Sequence, residues 1–131
     1  MELSHATATA LTHATTVTIF NERNPSSRRE LMAQHWSPNI TCYEPGKVGN
    51  GYDNIEQTWQ NLHSGEAADF DFSLVGSIWV NHNLIHAAWE YGPGGKAGDK
   101  GMRGSDIIIV GEDGKVDVLY AMIEGPSTIP A

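Results

Sequence analysis

The sequence predicts an α+β domain in which helices come first and antiparallel strands follow. In the first half of the chain, apolar residues recur every three or four positions, which is typical of helices. From about residue 69 onward the apolar residues alternate with polar ones, which is the period of a strand. Helices followed by strands are the order of an α+β fold. Because the alternating faces are rich in Phe, Trp and Ile, we expect a strongly curved sheet that wraps around the helices and encloses an apolar pocket.

The length and composition indicate one globular domain. The chain has 131 residues, of which 40% are hydrophobic and 18% are charged, values that are ordinary for a protein with a single core. The sequence has no internal repeat and no linker. We therefore expect one domain over residues 1–131, with residues 1–3 and 127–131 flexible.

The charge and the apolar runs exclude several classes of partner. The net charge of −8 argues against binding to nucleic acid or to an anionic membrane. No apolar run approaches the roughly 20 residues of a membrane span. The first residues lack a basic region followed by an apolar core, so we expect no secretory signal and a cytoplasmic location. The single cysteine, Cys42, excludes an internal disulfide.

Three helices and a short strand are predicted in the first half. A modest apolar stripe predicts a helix over residues 4–22, and Asn24-Pro25 is expected to end it. Capping boxes at Ser27–Glu30 and Asp53–Glu56 predict the starts of two further helices. Between these helices, residues 39–44 predict a strand, which a glycine-rich loop follows.

The second half predicts two hairpins. Phe70, Phe72 and their alternate neighbours form one apolar face, and a turn at Asn81–Asn83 leads into a strand over residues 85–91. A flexible glycine-rich connection then leads to the apolar run Ile107–Val110, which suggests a strand that is covered on both faces. Asp-Gly within Gly111–Gly114 predicts the turn to the last strand. Asp106 heads the apolar run, and a buried carboxylate is costly unless it is paired, protonated or used.

This order of elements, together with three local segments, resembles the nuclear-transport-factor-2-like superfamily, also called SnoaL-like or ketosteroid-isomerase-like. The segments are Leu31–Pro45, Trp89–Pro93 and Arg103–Val116. The resemblance covers nearly the whole chain and implies a cone-shaped α+β barrel. The superfamily includes isomerases, dehydratases, cyclases, epoxide hydrolases and non-enzymatic modules, so the resemblance is more specific for the fold than for the activity.

Two carboxylates match the ketosteroid isomerase pattern. There the general base lies just before a proline at the end of the first strand, which here corresponds to Glu44. The aspartate of the oxyanion hole lies eight residues before the hairpin glycine, which here corresponds to Asp106 before Gly114. A tyrosine late in the first helix corresponds to Phe20, so this chain departs from the pattern there.

The resemblance implies cofactor-independent general acid/base chemistry on a hydrophobic, oxygenated small molecule such as a polyketide or terpenoid. Glu44 would be the base, and Asp106 the acid or hydrogen-bond donor in an isomerase, dehydratase or cyclase. The alternative is structural: Asp106 bonds the backbone or pairs with Arg103, and Glu44 caps the turn at Pro45.

Arg103 opens a second alternative. Strand alternation places Arg103 and Asp106 on opposite faces unless a bulge at Gly104 intervenes. If the two side chains meet, a resemblance to the limonene-type epoxide hydrolases of this superfamily implies an epoxide hydrolase as the alternative, with Arg103 and Asp106 activating water. A third possibility is a non-catalytic module for ligand binding or dimerisation.

Several apolar side chains are candidates to line a substrate pocket. Alternation turns His86 to the opposite face of its strand, which the resemblance implies is a homodimer surface. We expect a solvated Glu124 at the end of the last strand, and we predict no metal site because no ligand cluster is present. The pocket candidates are Phe20, Trp36, Tyr43, Trp59, Phe70, Phe72, Trp89, Ile108 and Ile123.

Overall fold

The first helix is continuous but changes its geometry in the middle. The computed structural model describes residues 2–131, so Met1 in the expected flexible segment 1–3 lies outside the described residues. The helix begins as α1 (His5–Thr12), widens into a π-helical segment over His13–Thr18, and ends as α2 (Ile19–Asn21). The Ser4 hydroxyl caps it by accepting a hydrogen bond from the Thr7 amide. The helix predicted over residues 4–22 is confirmed, and the π-helical segment is new.

The next two helices begin earlier than their capping boxes predict. In α3 (Pro25–His35) the Asn24 side chain accepts from the Ser27 amide at 3.0 Å, so Asn24-Pro25 opens this helix. Asn is a strong N-cap and Pro suits the first helical position, so together they override the Ser27 box. Likewise α4 (Gly51–Leu62) begins two residues before Asp53, whose carboxylate pairs with Arg29 instead.

Six strands form one curled, unclosed sheet in the order β2-β1-β6-β5-β4-β3. Neighbouring strands are antiparallel except β1 and β6, which run parallel, so the sheet is mixed rather than purely antiparallel. The strand β2 occupies the segment that the sequence analysis assigned to a glycine-rich loop. The strands are β1 (Trp36–Glu44), β2 (Lys47–Asn50), β3 (Phe70–Asn81), β4 (Leu84–Pro93), β5 (Met102–Val110) and β6 (Val116–Ile123).

The core lies between the concave face of the sheet and the helices, which confirms the α+β cone. On β4 the residues Ile85, Ala87, Trp89 and Tyr91 are all buried, as alternation predicts. On β5 the inner residues of the apolar run are fully buried and the outer ones only half-buried, so this run is covered completely on one face only. No helix within residues 2–131 is long and apolar enough to span a bilayer.

Candidate active site

An apolar cavity lies between the sheet and the helices, with two carboxyl groups in its wall. Its free volume is about 60 Å³, enough for a few water molecules or one end of a larger ligand. The side chains that line it come from the first helix, from α4 and from every strand except β2. They are Thr16, Phe20, Cys42, Glu44, Ile55, Thr58, Leu62, Phe72, Trp89, Met102, Asp106, Leu119, Ala121 and Ile123.

Asp106 is the buried polar group of this cavity. The residue is 6% exposed, and two neutral donors hold its carboxyl group. The Thr16 hydroxyl donates to Oδ2 at 2.8 Å and the Trp89 indole N–H donates to Oδ1 at 3.1 Å. Burial raises the pKa of Asp106 to about 6, although both hydrogen bonds oppose this by favouring the charged form. A carboxyl group with such a pKa gains and loses its proton close to neutral pH.

The π-helical segment delivers Thr16 to the sheet. The Ile19 amide donates to the carbonyl of Ala14, five residues earlier, which is the wider turn of a π-helix. Two consecutive threonines then face the sheet: Thr15 accepts from the Trp36 indole at 2.9 Å, and Thr16 reaches Asp106.

Glu44 ends β1 at the rim of the same cavity. Its side chain is 26% exposed, and Lys47 Nζ lies 3.8 Å from its Oε2. The Lys47 ammonium also donates to the Thr58 hydroxyl at 3.5 Å, so a small polar cluster borders the cavity. Burial raises the pKa of Cys42 to about 12, and the carboxylates of Glu44 and Asp106 both add to this effect. The Cys42 thiol therefore stays protonated and unreactive.

The strand register brings Glu44 and Asp106 to one level of the sheet. Asp106 on β5 lies opposite Ala121 on β6. Tyr43 on β1 lies beside Tyr120, so extending this parallel register by one residue places Glu44 beside Ala121. Two strand spacings of about 4.8 Å separate the Cα atoms of the two carboxylates by roughly 10 Å. Ala121 lies between them on β6, and all three residues line the cavity.

Arg103 does not reach this cavity. It lies opposite Glu90 in a β4–β5 register that continues without a bulge through Gly104. Its side chain is 51% exposed, with Nε 3.8 Å from Glu90 Oε1 on the outer face of the sheet. The expectation that Arg103 and Asp106 act together is therefore wrong, because three residues along a regular strand place them on opposite faces. The epoxide hydrolase alternative loses its geometric basis.

Four of the nine pocket candidates line the cavity, and their contact with a substrate stays a prediction. Phe20, Phe72 and Trp89 form an aromatic wall, in which Phe72 lies 5.7 Å from Phe20 and 5.1 Å from Trp89 between ring centroids. Ile123 lines the cavity from β6.

The other five candidates lie elsewhere, which corrects the expected lining. Trp36 and Ile108 are fully buried in the core and leave no surface for a ligand. Tyr43 faces outward and stacks on Tyr120 at 4.5 Å. Trp59 donates to the Phe20 carbonyl beneath the Arg28 guanidinium, and the buried Phe70 packs against Tyr91.

Part of the lining carries no signal in the sequence. Small and polar residues such as Thr16, Thr58 and Ala121 give no strong pattern, because their position depends on which strand or helix lies opposite. His86 and Glu124 border a groove on the outer face, as alternation predicts for His86, and Glu124 is exposed.

Solved structures share this fold along nearly the whole chain. A SnoaL-like protein from Agrobacterium tumefaciens, provisionally described as an isomerase, is 21% identical, with a TM-score of 0.78 over 92% of this chain and 99% of its own. A provisional ketosteroid isomerase from Kribbella flavida is 12% identical, with a TM-score of 0.68 over 96% and 84%.

A SnoaL-like protein from Jannaschia sp. CCS1, provisionally described as a polyketide cyclase, is 8% identical, with a TM-score of 0.68 over 99% of both chains. No family model and no curated protein matches the sequence. The chain therefore has the cone fold of SnoaL-like and NTF2-like proteins, and at these identities the likeness establishes the fold alone.

Proposed function

We propose that this protein is a general acid/base enzyme that moves a proton on a hydrophobic, oxygenated small molecule. The observation that carries the proposal is Asp106, a buried carboxyl group with a pKa near 6 in an apolar cavity. A proton-transfer group works best when its pKa lies near the working pH. The names of the structural neighbours, which include an isomerase, a ketosteroid isomerase and a polyketide cyclase, favour the same class of chemistry.

We assign the role of proton acceptor to Asp106 rather than to Glu44. At neutral pH Asp106 is mostly ionised, and its two donors leave the remaining lone pairs of the oxygens for the cavity. Glu44 lies at the half-exposed rim beside Lys47, where it suits the binding of the polar end of a substrate. This reverses the roles that the family resemblance implies for the two acids.

The proposed step is the removal of a proton from a carbon next to a carbonyl group. The C–H electron pair becomes the C=C bond of an enolate, while the carbonyl π pair moves to oxygen. Asp106 takes the proton and becomes a neutral acid. Where the enolate is conjugated with a C=C bond, Asp106 returns the proton to the far carbon of that system, which completes an isomerisation. Otherwise the enolate carbon attacks a second carbonyl group, whose π pair moves to its oxygen, and Asp106 returns the proton to that oxygen, which closes a ring and regenerates the carboxylate.

Deuterium exchange into a simple hydrophobic ketone tests the assignment. We expect the wild-type protein to accelerate exchange at the α-carbons of 2-indanone in D₂O, as followed by NMR. Asp106→Asn should lose about 100-fold or more of this rate, because general-base catalysis is worth roughly 10²–10⁴-fold. Glu44→Gln should weaken the binding of the ketone more than the turnover.

Arg103→Gln is the matched control, since Arg103 carries a charge near Asp106 in sequence but faces outward. It should exchange deuterium at the wild-type rate. Equal exchange rates for wild type and Asp106→Asn would refute Asp106 as the base and leave a non-catalytic ligand-binding module as the better description.

We also propose that two copies pair through the outer face of the sheet. Large apolar side chains lie exposed there, including Trp79 at 70%, which is unusual for a monomer surface. The second copy would then cover the half-buried outer residues of β5. This strand would be covered on both faces, as its apolar run predicts.

A further inference from the structure

We propose that Thr16 is the positioning residue for Asp106, and that the π-helical segment His13–Thr18 exists to place it. The inference rests on the proposed role of Asp106 as the base, and it concerns how that carboxyl group is aimed and kept ionised. Thr16 would act through Asp106 and not through contact with the reacting atoms.

The hydrogen-bond geometry separates Thr16 from the other buried threonines of the same helix. The Thr12 hydroxyl donates to the carbonyl of Ala8 one turn earlier, so its bond stays within the helix. The Thr15 hydroxyl accepts from Trp36 in the core. Thr16 alone among these three crosses to β5, over a sequence separation of 90 residues, and ends on a carboxylate oxygen.

The π-helical segment gives a reason for this placement. Such segments are rare, make poorer use of the backbone than an α-helix, and recur at functional sites. Here the wide turn lies between α1 and α2. Thr16 lies within this turn and Phe20 follows it, and both line the cavity, where Phe20 forms part of the aromatic wall. A helix that only packed against the core would be stabilised more by regular α-helical hydrogen bonds.

The two donors on Asp106 are not equivalent. The Trp89 indole N–H can only donate, so Oδ1 remains an acceptor in both protonation states. The Thr16 hydroxyl can donate to the carboxylate and can turn to accept when Oδ2 carries a proton. The proton taken from a substrate therefore resides best on Oδ2. The Thr16 hydroxyl can therefore stay hydrogen-bonded to Oδ2 both before and after Asp106 takes up the proton.

The surroundings of Asp106 make its pKa sensitive to the hydrogen bond from Thr16. The titratable groups that face it across the cavity are Glu44 and Cys42 on β1, with Lys47 on β2 behind Glu44. The first helix, α4, β3, β4 and β6 contribute only neutral lining residues. No cation is paired with Asp106 among residues 2–131, so its two neutral donors are what favour the ionised form.

A carboxyl titration by ¹³C NMR on the ligand-free protein tests the inference. Thr16→Val keeps the shape of the side chain and removes the hydroxyl group. The Asp106 carboxylate then loses a hydrogen bond that favours its charged form, so we expect its pKa to rise by roughly one to two pH units. Thr16→Ser restores the hydroxyl group and should return the wild-type pKa. Thr12→Val, at an equally buried threonine of the same helix, should leave the pKa of Asp106 unchanged. If Thr16→Val does not fold, Thr16→Ala is titrated in its place.

Deuterium exchange into 2-indanone gives the second readout. In Thr16→Val the rise of kcat/KM with pH should move to higher pH with the pKa, and the plateau rate should fall about tenfold while KM stays near the wild-type value. An unchanged titration in Thr16→Val, or an equal change in Thr12→Val, would overturn the positioning role. The titration needs no substrate, so it can fail while Asp106→Asn still abolishes exchange, which distinguishes this inference from the proposed function.

Discussion

At the scale of single residues, the burial of Asp106 acts on stability and on the proposed proton transfer in opposite directions. A carboxyl group that folding moves from water to an apolar cavity, with neutral partners only, is disfavoured in its charged form. The same burial brings its pKa to about 6, where a proton can be taken up and released at neutral pH. The cost to stability and the proposed reactivity have one physical cause.

The pH dependence of stability follows from this residue. The pKa of Asp106 is about 6 in the folded protein against about 3.9 in an unfolded chain, so the folded state binds more protons between these values. Stability therefore falls as the pH rises from about 4 to 6, by up to about 3 kcal/mol. Urea unfolding at pH 4.5 and 7.5 should show about 2 kcal/mol of this loss in the wild-type protein and a smaller loss in Asp106→Asn. Identical pH dependence in both proteins would mean that Asp106 is not the group responsible.

Candidate residues were predictable from the sequence where a strong local pattern lies beside them, and were not predictable where their position depends on a distant partner. Glu44 and Asp106 stand next to strong local signals, a proline that ends a strand and a hairpin glycine eight residues away. Strand parity alone indicated that Arg103 faces away from Asp106. Thr16 gave no comparable signal, because its partner lies 90 residues away.

At the scale of elements, a buried ion pair joins α3 to α4. Arg28, which is 2% exposed, forms a two-pronged hydrogen bond with the Glu56 carboxylate, at 3.0 and 2.7 Å. Its guanidinium lies 3.8 Å from the Trp59 ring centroid. Because α4 supplies Ile55, Thr58 and Leu62 to the cavity, this pair holds one wall of the candidate site in place.

Removing one partner of this pair should be costly. Glu56→Ala leaves the Arg28 charge buried without a counterion, and we expect a loss of roughly 3 kcal/mol in the free energy of unfolding. The exposed pair between Arg29 and Asp53 is the natural comparison, and Arg29→Met should change stability by less than about 0.5 kcal/mol. Chemical denaturation measures both values. Similar losses in the two variants would show that the buried Arg28 pair contributes no more to stability than an exposed ion pair.

The elements themselves were mostly predictable, and their pairing was not. Periodicity located the first helix, both hairpins and the turn at His82, where a positive φ of 52° marks a tight bend. The strand β2 was not predicted, because its segment is bounded by glycines and lacks an apolar pattern. The parallel contact of β1 with β6 joins distant parts of the chain, and a local pattern carries no information about such a contact.

At the scale of the whole molecule, the proposed pairing of two copies depends on the outer face of the sheet. Trp79, Val75, Tyr120 and Met122 expose large apolar areas on this face, and a second copy would remove them from water.

Trp79→Lys should therefore convert a dimer to a monomer, because it replaces the most exposed of these apolar side chains with a charged one. Sedimentation equilibrium measures the mass of wild type and variant. Gln60→Lys adds the same charge on the exposed side of α4 and should leave the mass unchanged. A monomeric wild-type protein at micromolar concentration would contradict the pairing.

The parallel contact of β1 with β6 also governs when the candidate site can exist. Tyr43 meets Tyr120 only after the chain has closed a loop of more than half its length, so this contact has a high contact order. During synthesis the β3–β4 hairpin can form as soon as it leaves the ribosome, while β1 must wait for the last strand to emerge. Glu44 and Asp106 come to face one another only with that final docking. The nascent chain thus keeps its two acids apart, and assembly of the cavity coincides with the slow, topology-limited step of folding.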